Sequence, residues 1–315
     1  MFIEKKESWI FLSKKVHLKK ILVKLDSYKI FEDNFNMLTK KELDIILSKR
    51  DYLEFLNKIY NKELLNKVLI KSKDLWNTIE LINSFEDKII DSNLVWKAWF
   101  IQVWTELTFP KKFIYNSNNI EGSKIPEDEV EKIISNKKYR YKIKIEIQEV
   151  ENSIKSWDFL NTKFIFNEAN IKKLYHILTK DLLQENWEKY PRWFKKVSNI
   201  VNNDITTSPE KVSEEINDLI NWYKNNKKNI FPLQLAFDFH LRYEQIHPFE
   251  NWNWRTWRLL MNKILIQNWM FPMIVFTENK QSYFNAIASC KSGNKKKYYK
   301  FMLEQYKKTL DEIII

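Results

Sequence analysis

Residues 246–258 read IHPFENWNWRTWR and lie between two stretches whose apolar residues recur three and four positions apart. The pattern predicts a loop that runs into the first turn of a helix. Backbone N–H groups at a helix start are unpaired and carry the positive end of the helix dipole, so they bind phosphate. Arg255 and Arg258 are three positions apart, which places both guanidinium groups on one helix face. His247 precedes them and can accept a proton from a hydroxyl. The segment therefore predicts a phosphoryl or nucleotidyl transfer site.

The same helical spacing fills most of the chain and predicts an all-α fold. The predicted helices lie at about 9–25, 40–60, 62–91, 94–117, 126–160, 168–183, 209–227, 232–247, 252–268, 281–292 and 294–311. The stretch 184–207 differs, because it combines Pro191 and an Asn-Asn pair with β-branched residues, and it predicts a short hairpin at about 197–207. We divide the chain into a helical N-terminal region, 1–92, without an assigned role, a helical segment, 93–160, and a core domain, 161–315.

The composition fits an enzyme with a sizeable core, since the chain has 315 residues of which 44% are hydrophobic. Lys97 interrupts the best candidate for a membrane span, and the single cysteine, Cys290, excludes an internal disulfide. We expect no membrane partner and a cytoplasmic location. The net charge of +12 leaves a nucleic-acid partner open. Because the lysines are spread along the chain and interleaved with glutamates, we do not favour that partner.

The chain has two glycines and thirteen tryptophans. Average usage predicts roughly 22 glycines in a chain of this length, and turns need residues that accept a positive φ. We hypothesise that most of these tryptophans are encoded by UGA, read as glycine in the source organism. The native residues at those positions would then be glycine.

Residues 247–258 resemble the signature of the Fic family, His-Pro-Phe-x-Asp/Glu-Gly-Asn-Gly-Arg-x-x-Arg. The identical positions are His247, Pro248, Phe249, Asn253, Arg255 and Arg258. The two signature glycines fall on Trp252 and Trp254, and Trp257 falls where many members also have glycine. The likeness extends over roughly 160–311. It implies a Fic-type helical core with a short β-hairpin flap and, before it, an N-terminal helical extension.

The resemblance implies a protein adenylyltransferase, a nucleotidyltransferase that moves AMP from ATP to a Ser, Thr or Tyr hydroxyl of a target protein. His247 would be the general base. Asn253 and the backbone N–H groups of 252–254 would hold the α-phosphate, Arg255 the β-phosphate and Arg258 the γ-phosphate. The hairpin would fix the target backbone by strand addition. The aromatic pair that flanks the nucleoside would be Tyr283 and Phe284.

A second match lies upstream, where residues 117–122, SNNIEG, resemble the family's inhibitory motif, Ser/Thr-x-x-x-Glu-Gly/Asn. Ser117 and Glu121 are its defining residues. The resemblance implies that Glu121 pairs with Arg258 and blocks the seating of the ATP γ-phosphate. Because the motif precedes the core in the same chain, the enzyme would be autoinhibited without a separate subunit.

Two departures from the signature bear on the chemistry. The acid that binds magnesium in the family falls on Asn251, a neutral ligand, and Glu250 lies one position early. We therefore expect weakened Mg²⁺ binding between the α- and β-phosphates. An indole at 252 or 254 would fill the phosphate cradle, and its Cβ opposes a positive φ. The sequence as written predicts a blocked phosphate site.

Other functions stay open at this point. The same site could use another nucleotide or phosphate-linked donor, or remove AMP with Glu121 positioning a water. In a different class, the Fic core would be a catalytically impaired regulator whose basic N-terminal region binds DNA. A metal site at His240, Glu244 and His247 is not favoured, because two helical turns separate the histidines.

Overall fold

The computed structural model describes strands within residues 2–24 and residues 107–312 except 202–203, 269 and 292–294. An antiparallel sheet comprises β1 (Phe2–Lys6), β2 (Trp9–Val16) and β3 (Lys19–Lys24) in that order. Phe2 pairs with Ser13 in one ladder, and Phe11 pairs with Lys24 in the other. The predicted helices at 40–60 and 62–91, and most of the one at 94–117, lie outside the described residues.

The prediction of a helix at 9–25 is wrong, because this segment forms β2 and β3. The three strands follow one another closely in the sequence and pair antiparallel. The strands are rich in Ile, Val, Phe and Trp, which favour extended backbone. The apolar run 9–12 fits both a helical and a strand pattern. The antiparallel pairing of β2 with β1 and β3 shows that it forms a strand. The N-terminal extension is therefore not helical over these residues.

The described residues from 107 onward are mainly helical, which confirms the predicted all-α core. The helices are α1 (Phe109–Ile120), α2 (Glu127–Ile134), α3 (Lys144–Thr162), α4 (Glu168–Leu178), α5 (Val212–Asn226), α6 (Pro232–Ile246), α7 (Asn253–Gln267), α8 (Lys280–Lys291) and α9 (Lys295–Asp311). Two short 3-10 turns precede α5 and α8. Among the described residues no helix has the length and apolar content that a bilayer crossing requires.

The predicted helix at 126–160 is in fact two helices, α2 and α3. Asn136 adopts φ 53°, which ends α2, and the backbone N–H of Lys137 donates to the carbonyl of Lys132. Asparagine tolerates the left-handed region better than most residues, so it acts here as the helix stop. The predicted hairpin at 197–207 is confirmed by β4 (Ile200–Val201) and β5 (Asp204–Ile205), which pair antiparallel.

Helix α7 lies at the centre of the core and packs against α6, α3, α1 and α4. Residues 255–265 of α7 are all buried. A helix that is buried on every side is fixed by its neighbours. The first turn of α7, which follows the motif loop, is therefore held in place.

Candidate active site

The motif loop connects α6 to α7 through two left-handed residues. His247 ends α6 at φ 48°, ψ 64°, and its backbone N–H donates to the carbonyl of Tyr243. Trp252 precedes α7 at φ 64°, ψ 9°. A left-handed residue at each end turns the chain sharply, so the start of α7 lies near the end of α6. The first N–H groups of α7 directly follow this loop, and the N-cap residue Trp252 makes no side-chain capping hydrogen bond.

The loop is anchored by Phe249 and Asn253. Phe249 is fully buried and stacks on Tyr175 with ring centroids 3.8 Å apart, which agrees with a role as a core anchor. The Asn253 side chain accepts from the Phe249 N–H at 2.9 Å and donates to the Phe249 carbonyl at 2.6 Å. Asn253 is fully buried. In this conformation its side chain holds the loop, and its contact with the α-phosphate stays a prediction.

His247 is 6% exposed and faces a buried carboxylate. Its Nδ1 atom lies 3.7 Å from Oε2 of Glu244, one turn earlier on α6. Burial raises the pKa of the Glu244 carboxyl, and His247 opposes that shift. Within the described part of the chain, neither His247 Nδ1 nor Glu244 Oε1 has a hydrogen-bond partner. The two groups therefore form a close, buried acid–imidazole pair.

Arg258 is 1% exposed and reaches the end of α1. Its Nε donates to the Ser117 hydroxyl at 2.9 Å, and Nη2 donates to the Ser117 carbonyl at 2.9 Å. Nη2 also lies 2.7 Å from Oε1 of Glu121. Gly122 follows at φ 105°, a conformation that glycine accepts without strain. The structure thus brings together the two motifs that the sequence analysis paired.

Arg255 lies between a carboxylate and an indole. Its Nη2 is 3.2 Å from Oε2 of Glu149 on α3, and its guanidinium carbon is 3.9 Å from the centroid of the Trp252 ring. Burial raises the pKa of the Glu149 carboxyl, and Arg255 opposes the shift. Glu149 was missed in the sequence, because it lies in an amphipathic helix without a motif. Both arginines of the signature are therefore paired with carboxylates from the preceding helices.

A cavity of about 540 Å³ opens beside these residues. Its wall combines carboxylates, amides and aromatic rings around one arginine. The lining residues are Glu121, Glu149, Gln184, Glu185, Asn186, Tyr190, Asn251, Trp252 and Arg255. The cavity thus contains Arg255, one of the two expected phosphate ligands, together with both carboxylates that pair with the arginines.

The three tryptophans of the motif occupy different places. Trp252 covers Arg255. The Trp254 ring meets the Phe284 ring edge-on at 5.0 Å. Trp257 is fully buried and stacks on His240, with ring centroids 3.4 Å apart. Of these, the two at 252 and 254 therefore fill space next to the predicted phosphate and nucleoside contacts.

The predicted nucleoside pair is divided between the core and the surface. Tyr283 is fully buried, and its hydroxyl lies 3.4 Å from Nε2 of His240. Phe284 is half-buried and lies against Trp254. Phe284 is therefore the more accessible of the two rings in this conformation. The other ring nitrogen of His240, Nδ1, contacts the Tyr298 hydroxyl, so His240 belongs to the core.

Left-handed backbone supports the glycine hypothesis. Among the described residues other than glycine, five have a positive φ: Asn136, Asp181, Trp187, His247 and Trp252. Asparagine and aspartate are the usual non-glycine residues there, whereas tryptophan is not. Trp187 is 82% exposed, so no packing of its indole explains a φ of 66°. Positions 187 and 252 therefore have the left-handed backbone that glycine accepts most readily.

Residues 165–265 match the sequence profile of the Fic/DOC family. The match covers α4 to α7, and so includes the motif loop and the hairpin. These residues form a Fic domain. The matched region contains the left-handed loop and the two arginines of α7, whereas Glu121, the ion-pair partner of Arg258, lies before it.

Known Fic proteins show both sequence and fold similarity. A protein adenylyltransferase Fic of Drosophila mojavensis is 26% identical over 211 residues, covering 63% of this chain and 40% of that protein. One of Nematostella vectensis is 25% identical over 119 residues, covering 38% and 28%. The crystal structure of a Fic domain containing signaling protein from Bacteroides thetaiotaomicron has a TM-score of 0.63 at 19% identity, and covers 77% of this chain and 95% of that one. The aligned residues make up less than half of the length of either adenylyltransferase.

Proposed function

We propose that this Fic protein transfers AMP from ATP to a Ser, Thr or Tyr hydroxyl of a target protein. The observation that carries the proposal is the placement of His247 at the left-handed end of α6, next to the helix start that bears Arg255 and Arg258. A base, unpaired N–H groups and two guanidinium groups are what nucleotidyl transfer requires. The names of the relatives, protein adenylyltransferases, support the same reaction.

His247 would act as the general base. Glu244 lies on the Nδ1 side of the imidazole and would orient the ring, leaving Nε2 for the target hydroxyl. The hydroxyl oxygen then attacks the α-phosphorus of ATP, its proton passes to Nε2, and the bond to the β-phosphate oxygen breaks to release pyrophosphate. The start of α7 stabilises the charge that develops on the α-phosphate.

Magnesium would have few protein ligands at this site. The described residues contain no group of three His, Cys, Asp or Glu side chains that could hold a metal. Asn251 lines the cavity, whereas Glu250 is not one of its lining residues. Mg²⁺ keeps most of its ligands as water and substrate phosphates, so one amide oxygen from Asn251 fits it. When bound, the ion would neutralise charge on the α- and β-phosphates.

The resting state would be autoinhibited through both arginines. Glu121 occupies Arg258, the proposed γ-phosphate ligand, and Glu149 occupies Arg255, the proposed β-phosphate ligand. A phosphate chain entering the site must compete with these carboxylates for the same donors. The indole of Trp252 adds a steric barrier over Arg255. Activation would require displacement of Glu121 and, in the native protein, glycine at 252 and 254.

The test measures transfer of label from α-labelled ATP to protein. The variant with glycine at 252, 254 and 257 and with Glu121→Gly, called here the open variant, should label itself or a target in a cell extract. Adding His247→Asn should abolish labelling without unfolding the protein, because asparagine tolerates the left-handed backbone of this position. Labelling that survives His247→Asn would refute the base assignment, and an open variant that binds ATP but never labels protein would refute the transfer.

Removal of AMP is the second candidate function. Glu121 is about one-fifth exposed and lines the cavity, so it is placed to contact a water there. A variant with glycine at 252, 254 and 257 but with Glu121 retained distinguishes AMP removal from AMP transfer. It is incubated with protein that the open variant has already labelled. Loss of label as AMP would favour removal, and retained label would favour transfer alone.

A further inference from the structure

The hairpin β4–β5 is joined to the motif loop by one buried lysine. Lys195 is 3% exposed. Its ammonium group donates to Oδ1 of Asn199 at 2.7 Å, to Oγ1 of Thr206 at 2.5 Å and to the carbonyl of Ile246 at 3.2 Å. A buried ammonium is costly unless its donors are satisfied. Its three donors have three acceptors here, two beside the hairpin and one immediately before His247.

Two further hydrogen bonds extend the same link along the loop. The backbone N–H of Lys195 donates to the Pro248 carbonyl at 2.9 Å. Nδ2 of Asn199 donates to the Phe249 carbonyl at 2.9 Å. The carbonyls of residues 246, 248 and 249 therefore all accept hydrogen bonds from the segment that leads into β4. These contacts surround His247 and hold its left-handed backbone from the hairpin side.

Thr206 closes the link on the other strand. Its backbone N–H donates to the carbonyl of Asn199 at 3.2 Å, and its hydroxyl lies 2.8 Å from Oδ1 of the same residue. The three acceptors of the ammonium group are uncharged. The negative charge of Glu215 on α5 opposes the lowering of the Lys195 pKa by burial. Lys195 thus joins both ends of the hairpin to the loop. Loss of its side chain would break the hydrogen bonds to Asn199, Thr206 and Ile246.

We propose that Lys195 is a positioning residue that aligns the hairpin with His247, so that a target held at the hairpin presents its hydroxyl to the imidazole. The proposal rests on the proposed transfer and on target capture at β4–β5. Ile200 and Val197 are 69% and 66% exposed, so the hairpin offers apolar side chains to a partner. Misalignment by a fraction of an ångström lowers the rate of a positioned reaction.

The activity test uses the open variant with Lys195→Met. Methionine has a side chain of similar length but lacks the N–H donors of the ammonium group. The kcat/KM for target labelling should fall by about tenfold or more, while ATP affinity, measured by calorimetry, stays unchanged. Lys195→Arg should restore part of the loss, because a guanidinium can donate to the same carbonyl. The matched control is Lys196→Met, since Lys196 is exposed and its ammonium lies over the Trp193 ring. Unchanged target labelling in Lys195→Met would overturn the proposal.

Amide hydrogen exchange tests the link without any activity. In Lys195→Met, and not in Lys196→Met, residues 199–206 and 246–250 should lose protection together. Loss in only one segment, or in neither, would overturn the coupling. If Lys195→Met does not fold, Thr206→Val removes one acceptor and should give the same joint loss to a smaller extent. If no variant labels protein, the proposed transfer fails, and exchange still decides the role of Lys195.

Discussion

Glu121 and Arg258, which are 137 residues apart in sequence, form an ion pair with 2.7 Å between Oε1 and Nη2. The two partners differ in burial, since the Arg258 side chain is 1% exposed and that of Glu121 is 21% exposed. Arg258 also donates two hydrogen bonds to Ser117, which do not involve Glu121. We therefore expect removal of the acid to leave a guanidinium with two hydrogen-bond partners, whereas removal of the arginine leaves Glu121 and Ser117 without this partner.

In the variant with glycine at 252, 254 and 257, Glu121→Gly should raise AMP labelling at least tenfold, because Arg258 becomes available to the γ-phosphate. The gain should vanish when Arg258 is alanine, since two residues that act through one contact are not additive. The measurement is a double-mutant cycle on initial labelling rates. Additive effects would show that residues 117–122 do not inhibit through Arg258.

Glu149→Gln should strengthen ATP binding, because Arg255 loses its carboxylate and keeps a neutral neighbour of the same shape. We expect a gain of about tenfold, measured by calorimetry in the open variant. Glu151→Gln is the matched control, since Glu151 lies on the same helix, is 43% exposed and, among the described residues, forms an ion pair only with Lys155 at 3.8 Å. Equal affinities in the two variants would mean that Arg255 does not bind phosphate.

Trp187→Gly should raise the free energy of unfolding by about 1 kcal/mol, because φ 66° is strained for tryptophan and its exposed indole packs little. Trp252→Gly relieves the same strain but loses the contact with Arg255, so its net gain should be smaller. Only Trp252→Gly should raise ATP affinity. Trp222→Gly, in the middle of α5, is the control and should lower stability by about 1 kcal/mol.

The coding DNA gives a separate test of the glycine hypothesis. Codons 187, 252, 254 and 257 should be UGA in the message. Codon 157 should be UGG, because Trp157 is buried in the middle of α3 and packs on Phe109 and Phe113, with ring centroids 5.3 and 5.4 Å away. UGG at 252 and 254 would end the hypothesis and leave an occluded site as the native state.

Local patterns in the sequence predicted the features that depend on neighbouring residues. The helices of the core and the hairpin followed from periodicity and turn residues, whereas the pairing of Glu121 with Arg258 was implied by the resemblance to the Fic family. Such features depend on a few neighbouring residues, or on a family resemblance that specifies both partners of a contact.

The missed contacts depend on tertiary packing. Glu149 and Lys195 are single charges among many, and only the approach of α3 and of the hairpin to the motif gives each its partner. The support that Asn253 gives to the loop was also missed, because it depends on the fit of its amide to the Phe249 backbone. The left-handed tryptophans became visible only with the backbone angles, although the shortage of glycine pointed to them.

The stability contributed by Lys195 should increase with pH. Burial lowers the pKa of its ammonium from 10.5 to about 8. Between these values the unfolded chain holds a proton that the folded chain has released, so the free energy of unfolding rises with pH. Below pH 8 both states are protonated, and the contribution is constant. We expect the difference in urea unfolding free energy between wild type and Lys195→Met to grow from pH 8 to 10, with no such slope for Lys196→Met. A slope of zero would mean that the three acceptors hold the ammonium charged throughout, and a negative slope would mean that they bind it more strongly than water does.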